Sequence, residues 1–225
     1  MRKLVFMTAI CALLAAPAFA DTVQVYQTGY SSGSGGEFTA VPTNWSWDPL
    51  KYYDDSTSNQ GGYVGSFQTF CIETAEFFST GTPYNVTFGS NAMYGQNYPT
   101  GDPISRGTAW LYHEFQNQTL DGYEWDDVAG RQASAGALQA TIWWLEGEGS
   151  DPGAGNIFRQ AVVGKFGIAG AMANNNGAYP VLVMSLWQLN GGVAQDMLVC
   201  VPIPAAVLLG MLGLGAAGLK LRKFV

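Results

Sequence analysis

Basic residues are scarce in this chain of 225 residues: ten Lys and Arg in all, and a single histidine, His113. Half of the basic residues sit at the two ends. Between Asp21 and Cys200 only Lys51, Arg106, Arg131, Arg159 and Lys165 stand against all seventeen Asp and Glu, a net charge of −12. A nucleic-acid partner is thereby excluded, because phosphate binding needs a basic face. Docking of this region on anionic lipid headgroups is disfavoured for the same reason. One histidine leaves imidazole-based triads and metal sites without partners. The acid pairs Asp54-Asp55 and Asp126-Asp127 match no calcium-loop spacing, and Glu146 and Glu148 read as a polar helix end rather than a glycosidase pair. No metal, no cofactor and no enzymatic activity is expected. Cysteine is rare too, at Cys11, Cys71 and Cys200.

What is present at the ends belongs to targeting rather than to a fold. Arg2 and Lys3 precede an apolar run from Leu4 to Ala16 that is too short to span a bilayer. Ala18-Phe19-Ala20 then gives the small-x-small pattern read by a signal peptidase, with cleavage expected between Ala20 and Asp21. At the other end, Val201 to Leu219 carries no charge and is followed by Lys220, Arg222 and Lys223. At about 1.5 Å per residue this stretch approaches the thickness of the hydrocarbon core, and its basic tail should stay cytoplasmic. The expected organisation is a signal peptide over 1–20, an extracytoplasmic domain over 21–200, and a membrane-directed segment over 201–225.

The domain of 180 residues between them is long enough for one substantial core. Thr22 to Thr28, Tyr63 to Thr69 and Tyr84 to Phe88 alternate as strands do, and Ser31 to Gly36 and Asp54 to Gly62 read as exposed loops. The period then changes. Ile104 to Gln118 and Val128 to Glu146 read as helices, the second with Ala135, Leu138, Ile142 and Leu145 as an apolar stripe that ends at Gly147 and Gly149. Asn156 is the expected N-cap of a third helix from Ile157 to about Met172. Strands return at Pro180 to Leu189 and Val193 to Val199. The expected fold class is α+β: an antiparallel sheet or barrel with a helical subdomain inserted between strands, plus a C-terminal transmembrane helix. Trp45, Trp47, Tyr52 and Tyr53 form an aromatic cluster better suited to core packing than to stacking on sugars.

Two segments carry possible chemistry. Phe70-Cys71-Ile72-Glu73 ends an alternating strand with a cysteine. Leu138-Gln139-Ala140-Thr141-Ile142-Trp143-Trp144 places a glutamine within an apolar helix. A buried primary amide must find partners or costs about 1–3 kcal/mol. It can also be consumed: a thiolate attacks the side-chain carbonyl, ammonia leaves, and a Cys–Gln thioester remains. Cys71 has two other readings, a structural thiol or a disulfide to Cys200 in an oxidising compartment.

At these segments the sequence resembles the bacterial Cys–Gln thioester domains of surface adhesins. The likeness runs from about Gly62 to Glu148 and includes Ala109-Trp110-Leu111-Tyr112, which resembles the helix between the family's two motifs. It implies a cross-link between Cys71 and Gln139. Leu138 stands where the family has threonine, and Thr141 where it more often has an aliphatic or small residue. The tail resembles a second family, the PEP-CTERM sorting signals in their Val-Pro-Leu-Pro-Ala variant, through Val201, Pro202, Ile203, Pro204 and Ala205 followed by an apolar helix and basic residues. That resemblance implies recognition by an exosortase-type protease, an inner-membrane anchor before processing, a cell-envelope or surface location, and a link to extracellular polysaccharide. The expected function is covalent adhesion to a surface amine or hydroxyl. The alternative is a non-reactive structural or carbohydrate-binding matrix protein.

Overall fold

The computed structural model describes residues 21–45, 63, 65–93 and 101–201. Ala20 and the rest of segment 1–20, Lys51, Trp47, Tyr52, Tyr53, the loop from Asp54 to Gly62, and Pro202 to Val225 with the expected transmembrane helix lie outside the described residues. Among the described residues no helix is long and apolar enough to cross a membrane.

Eight strands are described: β1 Thr22–Gln27, β2 Phe38–Thr43, β3 Phe67–Thr69, β4 Pro83–Gly89, β5 Asn91–Ala92, β6 Asp102–Pro103, β7 Val181–Trp187 and β8 Val193–Cys200. Six of them form one antiparallel sheet in the order β3-β2-β1-β4-β7-β8, and β5 pairs with β6. Three helices, α1 Arg106–Gln116, α2 Val128–Leu145 and α3 Ile157–Ala171, intervene between β6 and β7. The α+β class and the inserted helices are as the sequence leads one to expect. A closed barrel is not formed. The two sheet edges share no backbone ladder within β3: the Thr69 hydroxyl donates to Leu198 O (2.6 Å), and past the end of β3 Ile72 N–H donates to Asp196 O (2.9 Å), Leu198 N–H donates to Phe70 O (3.2 Å), and Cys71 faces Met197 across a single antiparallel bridge. β3 is only three residues long, so no continuous ladder closes the sheet.

Each helix starts on a short polar side chain that captures orphan N–H groups. Ser105 accepts from Thr108, Asp127 from Gly130, and Asn156 from Phe158 and Arg159. Asp127 thus has a capping task, which accounts for it without calcium. Asn156 also donates to Ala137 O (2.8 Å) and accepts from Thr141 Oγ1 (3.0 Å), tying the start of α3 to the middle of α2. Gly167 has φ +67° and kinks α3, a conformation only glycine adopts without strain.

The sheet separates two cores. On the helix side Leu111, Tyr112, Phe115, Leu138, Ile142, Phe158, Val181, Val183, Leu198 and Cys200 pack together with Phe70 and Ile72. On the other face Val23, Val25, Phe38, Phe67, Cys71, Met184, Leu186, Met197 and Val199 pack with the partly buried Trp45. Strand alternation decides which side each takes. Cys71 sits opposite Met197, so its side chain shares the face of Met197; Cys200, three residues further along β8, points to the other face. The disulfide reading fails on that parity, and both thiols are free and buried.

One buried ion pair crosses this architecture. Arg131, near the start of α2, bonds Glu37 through Nε to Oε2 (3.0 Å) and Nη2 to Oε1 (2.5 Å), with both side chains fully buried. Tyr123 donates its hydroxyl to the same carboxylate (2.7 Å), and the guanidinium lies 3.8 Å from the ring centre of Tyr30. Removing one partner strands the other charge in the interior. Arg131→Met is expected to cost about 3–5 kcal/mol of unfolding free energy in urea denaturation; a loss under about 1 kcal/mol would show that the pair anchors nothing.

Candidate functional site

The antiparallel register of β2 and β3 pairs Phe38 with Thr69; continued by two residues, it sets Gly36 opposite Cys71. At that point the ladder opens and a side chain takes its place. Gln139, reaching in from α2, accepts from Gly36 N–H (2.9 Å) and Cys71 N–H (3.2 Å) through Oε1, and donates from Nε2 to Cys71 O (2.8 Å). Cys71 bonds β8 through its neighbours Phe70 and Ile72, so its own N–H and C=O point the other way, into the gap. The Gln139 amide fills that gap as a neighbouring strand would. Gln139 is 1% exposed and Cys71 4%.

The two residues singled out in sequence are thus brought together, with a backbone-to-side-chain contact at both ends of the amide. Two N–H groups converge on Oε1, the oxygen that would carry negative charge if a nucleophile attacked Cδ. Such paired donors are the arrangement of an oxyanion hole. The two departures from the thioester-domain pattern have local explanations. Leu138 is fully buried in the helix-side core, where a hydroxyl would be of no use to the amide. Thr141 donates to Ala137 O and to the Asn156 cap.

The reading of Ser31 to Gly36 as an exposed loop is corrected here: Gly35 and Gly36 are buried. A Cβ on Gly35 would lie 2.6 Å from Gln139 Cγ, and one on Gly36 would lie 2.7 Å from the Phe70 ring and 3.0 Å from Thr69 O. Bare backbone is therefore a condition of the contact. Glu37, next in sequence, is the carboxylate held by Arg131, so the ion pair fixes the very segment that supplies Gly36 N–H.

Cys71 also borders an open cavity of about 450 Å³, where Glu73, Glu76, Thr74, Gln195 and Trp143 of α2 line the wall and Phe77 stands 74% exposed. Burial, and secondarily the carboxylate of Glu76, raise the Cys71 thiol far above its ordinary value; Cys200 is pushed up to about 12 by burial. Burial and then the adjacent Glu148 raise Glu73 to about 8, and burial with Asp196 raises Glu76 to about 7. Sequence inspection missed this group, because its carboxylates come from positions 73, 76, 148 and 196. The spacing Cys-Ile-Glu-Thr-Ala-Glu was the available signal.

The other candidate residues make the following contacts. Glu146 and Glu148 do not form a pair: Glu146 accepts from Ser105 N–H at the start of α1 (3.1 Å), whereas Glu148 accepts from Thr74 N–H and its hydroxyl. His113 contacts Asn117 on the surface of α1. Trp45 donates to Thr22 O and packs edge-on against Phe88. Lys165 lies over the Trp110 ring. Val201 donates to Pro180 O and Asp21 O accepts from Val86. No metal-holding cluster occurs among the described residues.

Comparison with protein-family models, with curated proteins and with solved structures finds no match. The chemistry therefore rests on the geometry of the site.

Glu73, Glu76 and Glu146, the last raised to about 7 chiefly by burial, hold protons in the folded state at pH values where the unfolded chain has lost them. Their contribution favours folding fully below the unfolded carboxyl value, about 4.3, and is lost as pH rises through about 7 to 8. Asp151, lowered by its hydrogen bond from Arg159, acts in the opposite sense but only at more acid pH. The thermal midpoint is expected to fall between pH 5 and pH 8, and less steeply in Glu73→Gln; a midpoint that rises over that interval would contradict this.

Proposed function

We propose that this is an exported surface or matrix protein whose domain closes an internal thioester between Cys71 and Gln139 and couples through it to an amine or hydroxyl on a neighbouring surface or polymer. One observation carries the reading: the Gln139 carbonyl is held against Cys71 by two converging N–H donors. The reaction balances within the chain. Sγ of Cys71 bonds to Cδ of Gln139, the Cδ–Nε2 bond breaks, and the thiol hydrogen leaves with the amide nitrogen as ammonia. A nucleophile then displaces Sγ, which regains a proton as the free thiol. Among the described residues no lysine borders the cavity, which leaves the bond for an external partner.

Export rests on the charged and apolar pattern of 1–20, with signal peptidase acting between Ala20 and Asp21, and on the resemblance of the tail from Val201 to Ala205 and beyond to exosortase sorting signals. Extracellular polysaccharide and surface nucleophiles are the partners this implies, reached from the cell envelope after an inner-membrane stage. A second reading, a non-reactive structural or carbohydrate-binding matrix module, is favoured by one fact: both ends of the Gln139 amide are bonded, so its burial needs no reaction.

Intact mass separates the two. The folded domain should weigh one ammonia less than its sequence and resist thiol alkylation, and methylamine should restore mass by adding across the bond while freeing Cys71. Cys71→Ala and Gln139→Ala should each abolish both effects. A full-mass domain that is alkylated at Cys71 only after unfolding would favour the matrix module.

A further inference from the structure

Forming or opening the proposed bond moves a proton at Cys71 Sγ, and the thiol is buried among groups that resist its ionisation. Something must accept that proton. We propose that Glu76 is the general base of this site, accepting the Cys71 proton as Sγ attacks Gln139 and returning it to the departing nitrogen. The assignment rests on the thioester reading and adds a residue to it.

Two acids, Glu73 and Glu76, line the cavity with Cys71, and their bonding separates them. Glu76 Oε2 accepts from Asp196 N–H (3.1 Å), while Asp196 O accepts from Ile72 N–H (2.9 Å). A single residue of β8 therefore fixes both Ile72, next to the thiol-bearing residue, and the Glu76 carboxylate. Met197, next along β8, is the bridge partner of Cys71. Glu76 is also the one carboxylate whose charge bears on the thiol. Glu73 is otherwise engaged, sharing a hydrogen bond with Glu148.

Among the described residues, the charged and titratable groups that bear on Glu76 are acidic: Cys71 and Glu73 on its own segment, Asp196 on β8, and Glu148 beyond α2. Burial first, then the charges of Asp196 and Glu148, raise it to about 7, where a carboxyl is both a better base and ready to return the proton near neutral pH. In formation, the thiol proton passes to the Glu76 carboxylate, Sγ adds to Cδ, charge on Oε1 meets the N–H groups of Gly36 and Cys71, and Nε2 takes the proton from Glu76 as ammonia leaves. In opening by an amine, the proton lost by the attacking nitrogen passes to Glu76 and then to Sγ. Glu76 ends each cycle unchanged.

The test is the rate of thioester opening by methylamine in the purified full domain, followed by mass from pH 5.5 to 8.5, for wild type, Glu76→Gln and Glu76→Asp. Comparing rates at each pH cancels the ionisation of methylamine itself. Glu76→Gln is expected to open about 10²-fold more slowly at pH 8. The ratio of wild-type to variant rate should rise through about pH 7 and then level, as Glu76 ionises. Glu76→Asp should recover part of the rate, and an unchanged unfolding midpoint would separate loss of the base from loss of the fold. Equal rates in wild type and Glu76→Gln across this range would overturn the assignment while leaving the thioester standing. A wild-type domain at full mass would overturn the thioester, and the base with it.

Discussion

The site depends on the buried pair of Glu37 and Arg131. Arg131 and Gln139 lie eight residues apart on α2, a rise of about 12 Å, and Glu37 directly follows Gly36. One helix thus grips one loop at two points: a charge pair that excludes water, and an amide that bridges two backbones. Sliding the loop by one residue would bury Glu37 without its guanidinium, a far larger penalty than the loss of any neutral hydrogen bond. A buried ion pair adds little net stability compared with an apolar pair of the same shape. What it fixes is register, and register decides whether Gly36 N–H meets Gln139.

A second constraint comes from the sheet. Because β3 stops at Thr69 and the chain crosses to β8, Phe70 and Ile72 turn to the helix-side core while Cys71 turns to the other. Cys71 is left with backbone groups facing a gap and a thiol facing a cavity. A continuous β2–β3 ladder would have consumed those backbone groups and left no room for a side chain from α2. The short strand and the interrupted closure are what make space for Gln139.

Much of this was legible in the sequence, for identifiable reasons. Helix periodicity marked α2, and periodicity with the Asn156 cap marked α3, almost to the residue. Asp127, the cap of α2, reads in sequence only as one of an acid pair, although it sits where orphan N–H groups need it. β2 went unrecognised because Pro42 interrupts a weakly alternating run; β3 covers only Phe38 to Ala40, so at Pro42 the strand pairs with β1 alone, opposite Val23. Cys71 and Gln139 stood out by type and context. Gly35 and Gly36 did not, because a glycine required for close backbone approach looks the same in sequence as one in a solvated loop. The ion pair was equally silent: Arg131 and Glu37 are ninety-four residues apart, and nothing local announces that two charges will be buried together.

The same hydrogen bonds bear on how the proposed bond would behave. Converting the Gln139 amide to a thioester removes Nε2, and with it the donor to Cys71 O. The carbonyl oxygen keeps its two N–H partners, but Cys71 O is left as a buried acceptor without one, at a cost of about 1–3 kcal/mol. An amine that opens the bond yields a secondary amide, whose N–H can again donate to Cys71 O. A hydroxyl yields an ester, which has no hydrogen to give. The backbone of Cys71 thus distinguishes the two products after the chemistry is over: it recovers its partner only when nitrogen has replaced sulfur.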